Sequence, residues 1–354
     1  MGLKILHTAD WHLDSPFRGF SPEQRELLRQ AQKEIPGKIT DLCLRENCDM
    51  MLLAGDVFDG IPSAETVALV KQELERSGVP VLISPGNHDF CAPNSPWLLE
   101  RWPENVFVFT GNLESVTIGG LDCRIYGAGY ESMDCPALLD GFRAEGPEKY
   151  KIAVLHGDPT QKNSPYNPIT AAQVRASGLQ YLALGHIHKA GAFRGGSTLC
   201  AWPGCPMGRG WDETGDKGVC VVTLEDSAQV SAVSLDTLRF QELETDVGED
   251  PIAAVEALLP GLGGQDFYRI SLTGWGKVAL DELKAKFQSY PNLEIRDLTE
   301  DPEKLWEGAG EDTLEGVYFQ MLQAAMEEDP ENGERIRLAA EISRQLLNGK
   351  EVTL

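Results

Sequence analysis

Short apolar runs that read as strands alternate along the chain with longer amphipathic stretches that read as helices. Residues 5–8 form the first strand and end in Asp10-Trp11-His12-Leu13-Asp14. Ser21-Pro22-Glu23-Gln24 supplies an N-cap, a proline at the first helical position and a capping-box glutamine, so a helix starts there. Pro36-Gly37 should interrupt it before a second helical piece over 38–45. Met51-Leu52-Leu53-Ala54 is unbroken apolar sequence, the pattern of a short strand inside a sheet covered on both faces, and it stops at Gly55-Asp56. A helix over 64–76 and a strand over 79–84 lead to Pro85-Gly86-Asn87-His88-Asp89. Strands alternating with helices, with polar residues at each strand end, are an α/β rhythm.

Shorter strands follow at 106–109, 115–118 and 124–127. The strand at 152–155 ends in His156-Gly157-Asp158, and that at 181–184 ends in Gly185-His186-Ile187-His188. A further strand at 198–201 runs into Trp202-Pro203-Gly204-Cys205-Pro206. Two sheets packed on each other with helices outside accommodate this order. From about residue 239 the spacing predicts strand 239–247, helix 251–259, strand 267–272, helix 279–290 and strand 293–297, a small α/β module. Gly308-Ala309-Gly310 reads as a linker to two terminal helices. The expected domains are therefore 1–238, 239–303 and 304–354, in a chain of 354 residues that is too long for one small core.

The net charge of −24 counts against unaided binding of nucleic acid. It is unevenly spread: residues 1–240 hold 21 Lys and Arg against 30 Asp and Glu, and residues 241–354 hold 10 against 25. The one basic window, 151–200, contains three of the six histidines. No apolar run reaches the length of a membrane span and no signal-peptide pattern opens the chain. The eight scattered cysteines lack CxxC pairs, which predicts reduced, buried thiols in a cytoplasmic protein.

The strand ends carry the chemistry. Asp10, His12, Asp56, Asn87, His88, His156, His186 and His188 all fall there, and they include five of the six histidines. His7, inside the first strand, reads as a satisfied core residue. Asp10 and His12 are two apart, and on an extended segment such residues point the same way, as two ligands of one ion would. Carboxylate, imidazole and amide oxygen together suit divalent ions of intermediate hardness, manganese, iron or zinc. Eight such groups are too many for one ion and suit two sharing a carboxylate; ions about 3.5–4 Å apart can hold a hydroxide and clamp both oxygens of a displacement at phosphorus.

Asp-x-His, Gly-Asp-x-x-Asp, Gly-Asn-His-Asp, His-Gly and Gly-His-x-His, in this order, resemble the five motifs of the calcineurin-like metallophosphoesterases. Gly55-Asp56-Val57-Phe58-Asp59 and the Asp10–Asp14 motif are similar to those of SbcD-type DNA repair exonucleases. Asp10-x-His-Leu-Asp-Ser-Pro-Phe and Pro203-Gly204-Cys205-Pro206…Gly218 resemble a bacterial YhaO-like subgroup. The resemblance covers about residues 3–225 and implies a double β-sandwich flanked by helices, followed by a small capping module and C-terminal helices. It implies Asp10, His12, Asp56 and His188 on one ion and Asp56, Asn87, His156 and His186 on the other, with manganese first and iron, zinc or magnesium as alternatives. A hydroxide bridging the ions would attack phosphorus while His88, not a ligand, assists the leaving oxygen. Asp59 and Asp89 would orient imidazoles.

The implied function is a DNA exonuclease or endonuclease subunit of a repair complex, acting on DNA ends or single strands. Its implied partner is an SbcC-type ABC ATPase gripped by the C-terminal helices. Leu314, Val317, Tyr318, Met321, Leu322 and Ala325 form one helical stripe, which serves that grip or packs within the protein. A phosphatase or phosphodiesterase for small molecules shares all five motifs, and a weakly active regulatory subunit is a third reading. A homodimer stays open, and no membrane is involved. Of the aromatics near the motifs, Trp11, Phe17, Trp97, Trp202 and Trp211, most are expected to pack in the interior or at the rim, with Trp11 and Phe17 the better candidates for stacking on unpaired bases. For Arg209 and Lys217, contact with phosphates and plain solvation remain equal alternatives.

Overall fold

The computed structural model of the chain describes residues 2–261 and 264–349, so 350–354, the end of the expected helical segment, lie outside the described residues. The chain divides into two compact units, Met1–Phe240 and Gln241–Leu354.

In the first unit the strands are β1 (Leu3–Thr8), β2 (Met50–Leu53), β3 (Val81–Ile83), β4 (Val106–Val108), β5 (Glu114–Ile118), β6 (Cys123–Gly127), β7 (Tyr150–His156), β8 (Tyr181–Gly185), β9 (Gly191–Gly195), β10 (Thr198–Trp202), β11 (Gly218–Leu224) and β12 (Ala228–Ser234). The helices are α1 (Pro22–Lys33), α2 (Ile35–Arg45), α3 (Ala64–Arg76), α4 (Pro96–Leu99) and α5 (Ala171–Ala176). One sheet runs β12-β11-β1-β2-β3-β4 and the other β5-β6-β7-β8-β10-β9. Parallel pairing of β1, β2, β3 and β4, and of β6, β7 and β8, brings the carboxyl ends of these strands to the same side of each sheet.

The period-two alternation of each strand explains the layers. Ile5, Leu52 and Leu82 of the first sheet bury against Ile125, Ile152, Val154 and Ala183 of the second, in one core between the sheets. The intervening residues Leu6, Met51 and Leu53 are equally buried on the opposite face. Behind the second sheet, Ala153, Leu155, Leu182 and Leu184 pack with Ile169, Val174 and Leu179. Strands buried on both faces have no polar alternation, which is why β2, β7 and β8 read as continuous apolar runs.

Pro36 does not separate two helices. It sits in the first turn of α2, where its missing N–H would be unsatisfied anyway, and the break falls at Glu34. β9, β11 and β12 were not expected. The last two form an antiparallel hairpin that extends the first sheet beyond β1.

β13 (Phe240–Asp246) begins at the last residue of the first unit and runs into the second, which also holds β14 (Phe267–Thr273) and β15 (Leu293–Asp297), with α6 (Pro251–Glu256), α7 (Leu280–Lys286), α8 (Pro302–Leu305), α9 (Leu314–Glu328) and α10 (Gly333–Leu347). Val255, Leu283 and Phe287 cover Ile270, Leu272 and Ile295 of its sheet. Trp275, Leu305, Phe319 and Ala340 form a second core with Ala309 against it, so the Gly308-Ala309-Gly310 stretch is packed where a free linker was expected. Arg344 fastens this core: its guanidinium donates to the carbonyls of Leu305 and Glu307 at 2.8 Å and lies 3.8 Å over the Phe319 ring. Among the described residues, no helix is long and apolar enough to cross a membrane, and the eight cysteines are free and buried.

Candidate metal centre and active site

Each polar group identified at a strand end is carried to one place by the strand before it. Asp10 and His12 follow β1, Asp56 follows β2, and Asn87 and His88 follow β3. His156 ends β7, and His186 and His188 follow β8. The first segment is not extended: Asp10, His12 and Asp56 have φ of 55°, 46° and 52°, and His186 has 96°. Left-handed backbone at non-glycine residues is costly and is held only where the surroundings enforce it. Here the two loops are laced together, with Asp10, His12 and Leu13 donating their N–H groups to Gly55, Asp56 and Val57 at 3.0, 2.9 and 2.9 Å. Asp10 and His12 do converge, through this ladder of turns rather than through strand periodicity. Close approach also demands glycine, since a Cβ on Gly55 would meet His156 and one on Gly86 would meet Asp56.

Three groups of donors lie within 4.8 Å of one another: Asp10, His12 and His188; Asp10, Asp56 and His156; and His12, Asp56 and His88. His12 Nε2 stands 3.1 Å from His188 Nε2 and 3.6 Å from Asp56. His156 Nε2 stands 2.9 Å from Asn87 Oδ1 and 3.3 Å from Asp56, and His186 Nδ1 lies 3.2 Å from the same Asn87 oxygen. Asn87 and His186 thereby join the cluster. His7 does not: it is buried in β1 between the Tyr181 hydroxyl and the Leu184 carbonyl, and burial pulls its pKa down to about 3.

The protonation pattern shows what the cluster needs. His156 Nδ1 faces the Ala54 carbonyl at 2.8 Å and therefore carries a hydrogen, which turns its other nitrogen toward two oxygens. Only a proton or a cation makes that arrangement attractive. Without a cation, burial pulls His156 down but the Asp56 charge and hydrogen bond, with Asp10, win and raise it to about 9. Burial raises Asp10, while at Asp56 the opposing burial is outweighed by His156, His12 and His88, which hold it far below the carboxylate range. Two buried carboxylates, an amide oxygen and facing imidazole nitrogens fit divalent cations.

His88 is set apart by exposure, with its side chain 42% accessible. Its Nδ1 is held 2.8 Å from Asp59, and its backbone N–H donates to Asp56 at 2.9 Å. The Asp59 hydrogen bond outweighs burial and raises the His88 pKa. Asp59 thus orients an imidazole. Asp89 does not. It folds back to accept the N–H groups of Gly86 and Val57 at 2.8 Å and of Phe58 at 3.3 Å, bracing the two loops.

Trp11 and Phe17, the better candidates for stacking on bases, are instead buried in the core, while the other three rings pack against the protein as expected. Trp11 is 2% exposed with its indole N–H on Thr8, and Phe17 is 4% exposed. Trp97 is buried against Trp102, Trp202 donates to the Lys189 carbonyl, and Trp211 packs on Phe240. Cys91 and Cys205 are buried thiols pushed upward by that burial, Cys91 to about 12. Arg209 is not a free loop charge: it is clamped to Glu213 at 3.0 Å, and its guanidinium also reaches His188 Nδ1 at 3.2 Å.

Four residues near the cluster were not singled out in the amino-acid sequence. Glu213 accepts from His188 Nδ1 at 2.5 Å. Asn167, itself at φ 45°, donates to the His156 carbonyl at 2.9 Å. Tyr166 lies against the His186 ring at 4.8 Å and Tyr130 edge-on to His156 at 5.5 Å. Asn167 follows the His-Gly motif, and asparagine tolerates left-handed backbone; that was its one available sign.

The profile of the calcineurin-like phosphoesterases matches residues 3–190, more than half of the chain. The chain belongs to that family. It is a family of phosphoesterases that use two divalent metal ions, and the donor groups above are candidates to hold such ions. Bacillus subtilis (strain 168) has an uncharacterized metallophosphoesterase, YhaO, that is 32% identical over 237 residues, 62% of this chain and 57% of that protein. The SbcD component of the nuclease SbcCD of the same organism is 26% identical over 264 residues, 62% of this chain and 66% of its own length. Its counterpart in Rhodobacter capsulatus is 34% identical over 93 residues, 25% of this chain and 22% of that one. The chain therefore spans less than two thirds of any of these phosphoesterases.

Proposed function

We propose that this phosphoesterase is a two-metal phosphodiesterase that cuts DNA as the nuclease subunit of a repair complex. The observation that carries the reading is the convergence of Asp10, His12, Asp56, His156 and His188, with Asn87 and His186 at hydrogen-bond distance beside them and His88, exposed, tied to Asp59. Asp10, His12, Asp56 and His188 would hold one ion, and Asp56, Asn87, His156 and His186 the other. Bound there, divalent ions, manganese first, supply Lewis acidity toward phosphate oxygens and an activated water. The chain's own part is to fix the donors and to bring a proton. His88, raised by Asp59 and open to solvent, donates it to the leaving oxygen. DNA as substrate rests on the likeness to the SbcD component of SbcCD.

The net charge of −24 favours the second reading, a small-molecule phosphodiesterase. End-labelled duplexes and single strands incubated with manganese, magnesium, zinc or EDTA separate the two. We expect metal-dependent shortening of DNA that EDTA abolishes. Hydrolysis of bis-p-nitrophenyl phosphate with every DNA end left intact would assign the small-molecule reading.

A partner ATPase would supply the basic surface that the acidic chain lacks. The face for it is the predicted stripe of α9: Leu314 is 91% and Met321 66% exposed, and Leu314, Tyr318, Leu346 and Leu347 border a groove of about 550 Å³. Deleting 310–354 would also remove Phe319, Ala340 and Arg344 from their core, so point changes are the cleaner probe. Leu314→Ser with Met321→Ser and Leu346→Ser should abolish co-purification with an SbcC-type ATPase and leave phosphodiesterase activity and metal content at wild-type levels. Undiminished co-purification would exclude this face as the ATPase contact.

A further inference from the structure

The two candidate ion positions are braced by different chemistry. Behind His156 stands a neutral acceptor, the Ala54 carbonyl. Behind His188 stands a carboxylate: Glu213 Oε1 lies 2.5 Å from His188 Nδ1. Glu213 is itself buried and held on both oxygens. Arg209 donates its guanidinium to Oε1 at 3.0 Å and its backbone N–H to Oε2 at 2.8 Å. The Cys205 thiol lies 3.8 Å from Oε2. All three residues come from the loop between β10 and β11, beyond the 3–190 stretch that the family profile matches.

A hydrogen bond at Nδ1 fixes the tautomer and turns the Nε2 lone pair inward, where it stands 3.1 Å from His12 Nε2 and 3.9 Å from Asp10. A charged acceptor does more than a carbonyl, because it strengthens the imidazole as a donor to a cation. Arg209 keeps the carboxylate from being an isolated buried charge, which would be costly at this burial. A purely structural ion pair would have no need to aim an oxygen at an imidazole whose other nitrogen faces the donor cluster.

We propose that Glu213 is the positioning residue for His188, and that with Arg209 it sets the affinity of the His188-side divalent ion without touching that ion. The inference rests on the reading that His188 holds an ion. It goes beyond that reading by assigning to the 203–217 loop a control over one ion and not the other.

The test is calorimetric titration of chelator-stripped full-length protein with manganese chloride. Wild type takes up two ions. Glu213→Gln keeps the shape and loses the charge, and it should bind one ion with wild-type affinity and the other about 10–100-fold more weakly. Should that variant fail to fold by circular dichroism, the double variant Arg209→Gln, Glu213→Gln removes both charges together and is titrated in its place, with the same selective loss expected. Two ions bound as tightly as in wild type, or both weakened alike in folded protein, overturns the proposal. Wild-type protein that takes up no ion overturns the metal reading beneath it, a result the first titration shows by itself.

Discussion

Asp56→Ala should empty both ion positions at once. In the proposed assignment the Asp56 carboxylate is the group that the two donor sets share: one oxygen lies 3.6 Å from His12 Nε2 and 3.3 Å from His156 Nε2, and the other accepts the His88 N–H. Removing it takes a ligand from each ion and leaves the surrounding imidazoles facing a cavity. We expect metal content near zero by elemental analysis and no detectable hydrolysis of any phosphodiester. The fold should persist, because Leu52, Ala54 and the core between the sheets do not depend on the carboxylate. Two ions at full occupancy in the variant would remove Asp56 from its shared position.

His88→Ala should separate chemistry from metal binding. The ring is half exposed and tied to Asp59, so its loss opens no core, and in the proposed assignment it belongs to neither donor set although it stands beside His12 and Asp56. General acid help of this kind is worth about 10²–10⁴ in rate. Turnover on DNA should fall by about that factor, with both ions retained. Hydrolysis of bis-p-nitrophenyl phosphate should fall far less, since its leaving group needs little protonation. A variant that loses metal, or that cuts DNA at the wild-type rate, contradicts the assigned role.

The convergence of these polar residues was legible in the sequence because each lies at the end of a strand. A buried parallel strand writes itself as an apolar run, and a polar residue at its end has few structural reasons to be there, as at Asp56, His156 and His186. The mechanism of convergence was not legible. Asp10 and His12 were expected on an extended segment, yet they meet through left-handed turns stitched to Gly55 and Asp56, and no local pattern marks a ladder between two distant loops. Glu213 was invisible for the same reason, being brought to His188 by a loop without periodicity. At the C-terminus the helices were legible and their orientation was not. The stripe through Leu314 and Met321 is real, but Phe319, one position off it, is the residue that Trp275 and Leu305 bury. Which face turns inward is decided by partners far away in the chain.

Two ions held by these residues are the condition on which the proposed chemistry depends. A crystal structure of the protein grown with manganese, with anomalous scattering to locate the ions, reads this out directly. We expect two peaks about 3.5–4 Å apart, bridged by Asp56, with Asp10, His12 and His188 on one side and Asn87, His156 and His186 on the other. No anomalous peak at Asp56, with manganese bound elsewhere or not at all, would contradict it.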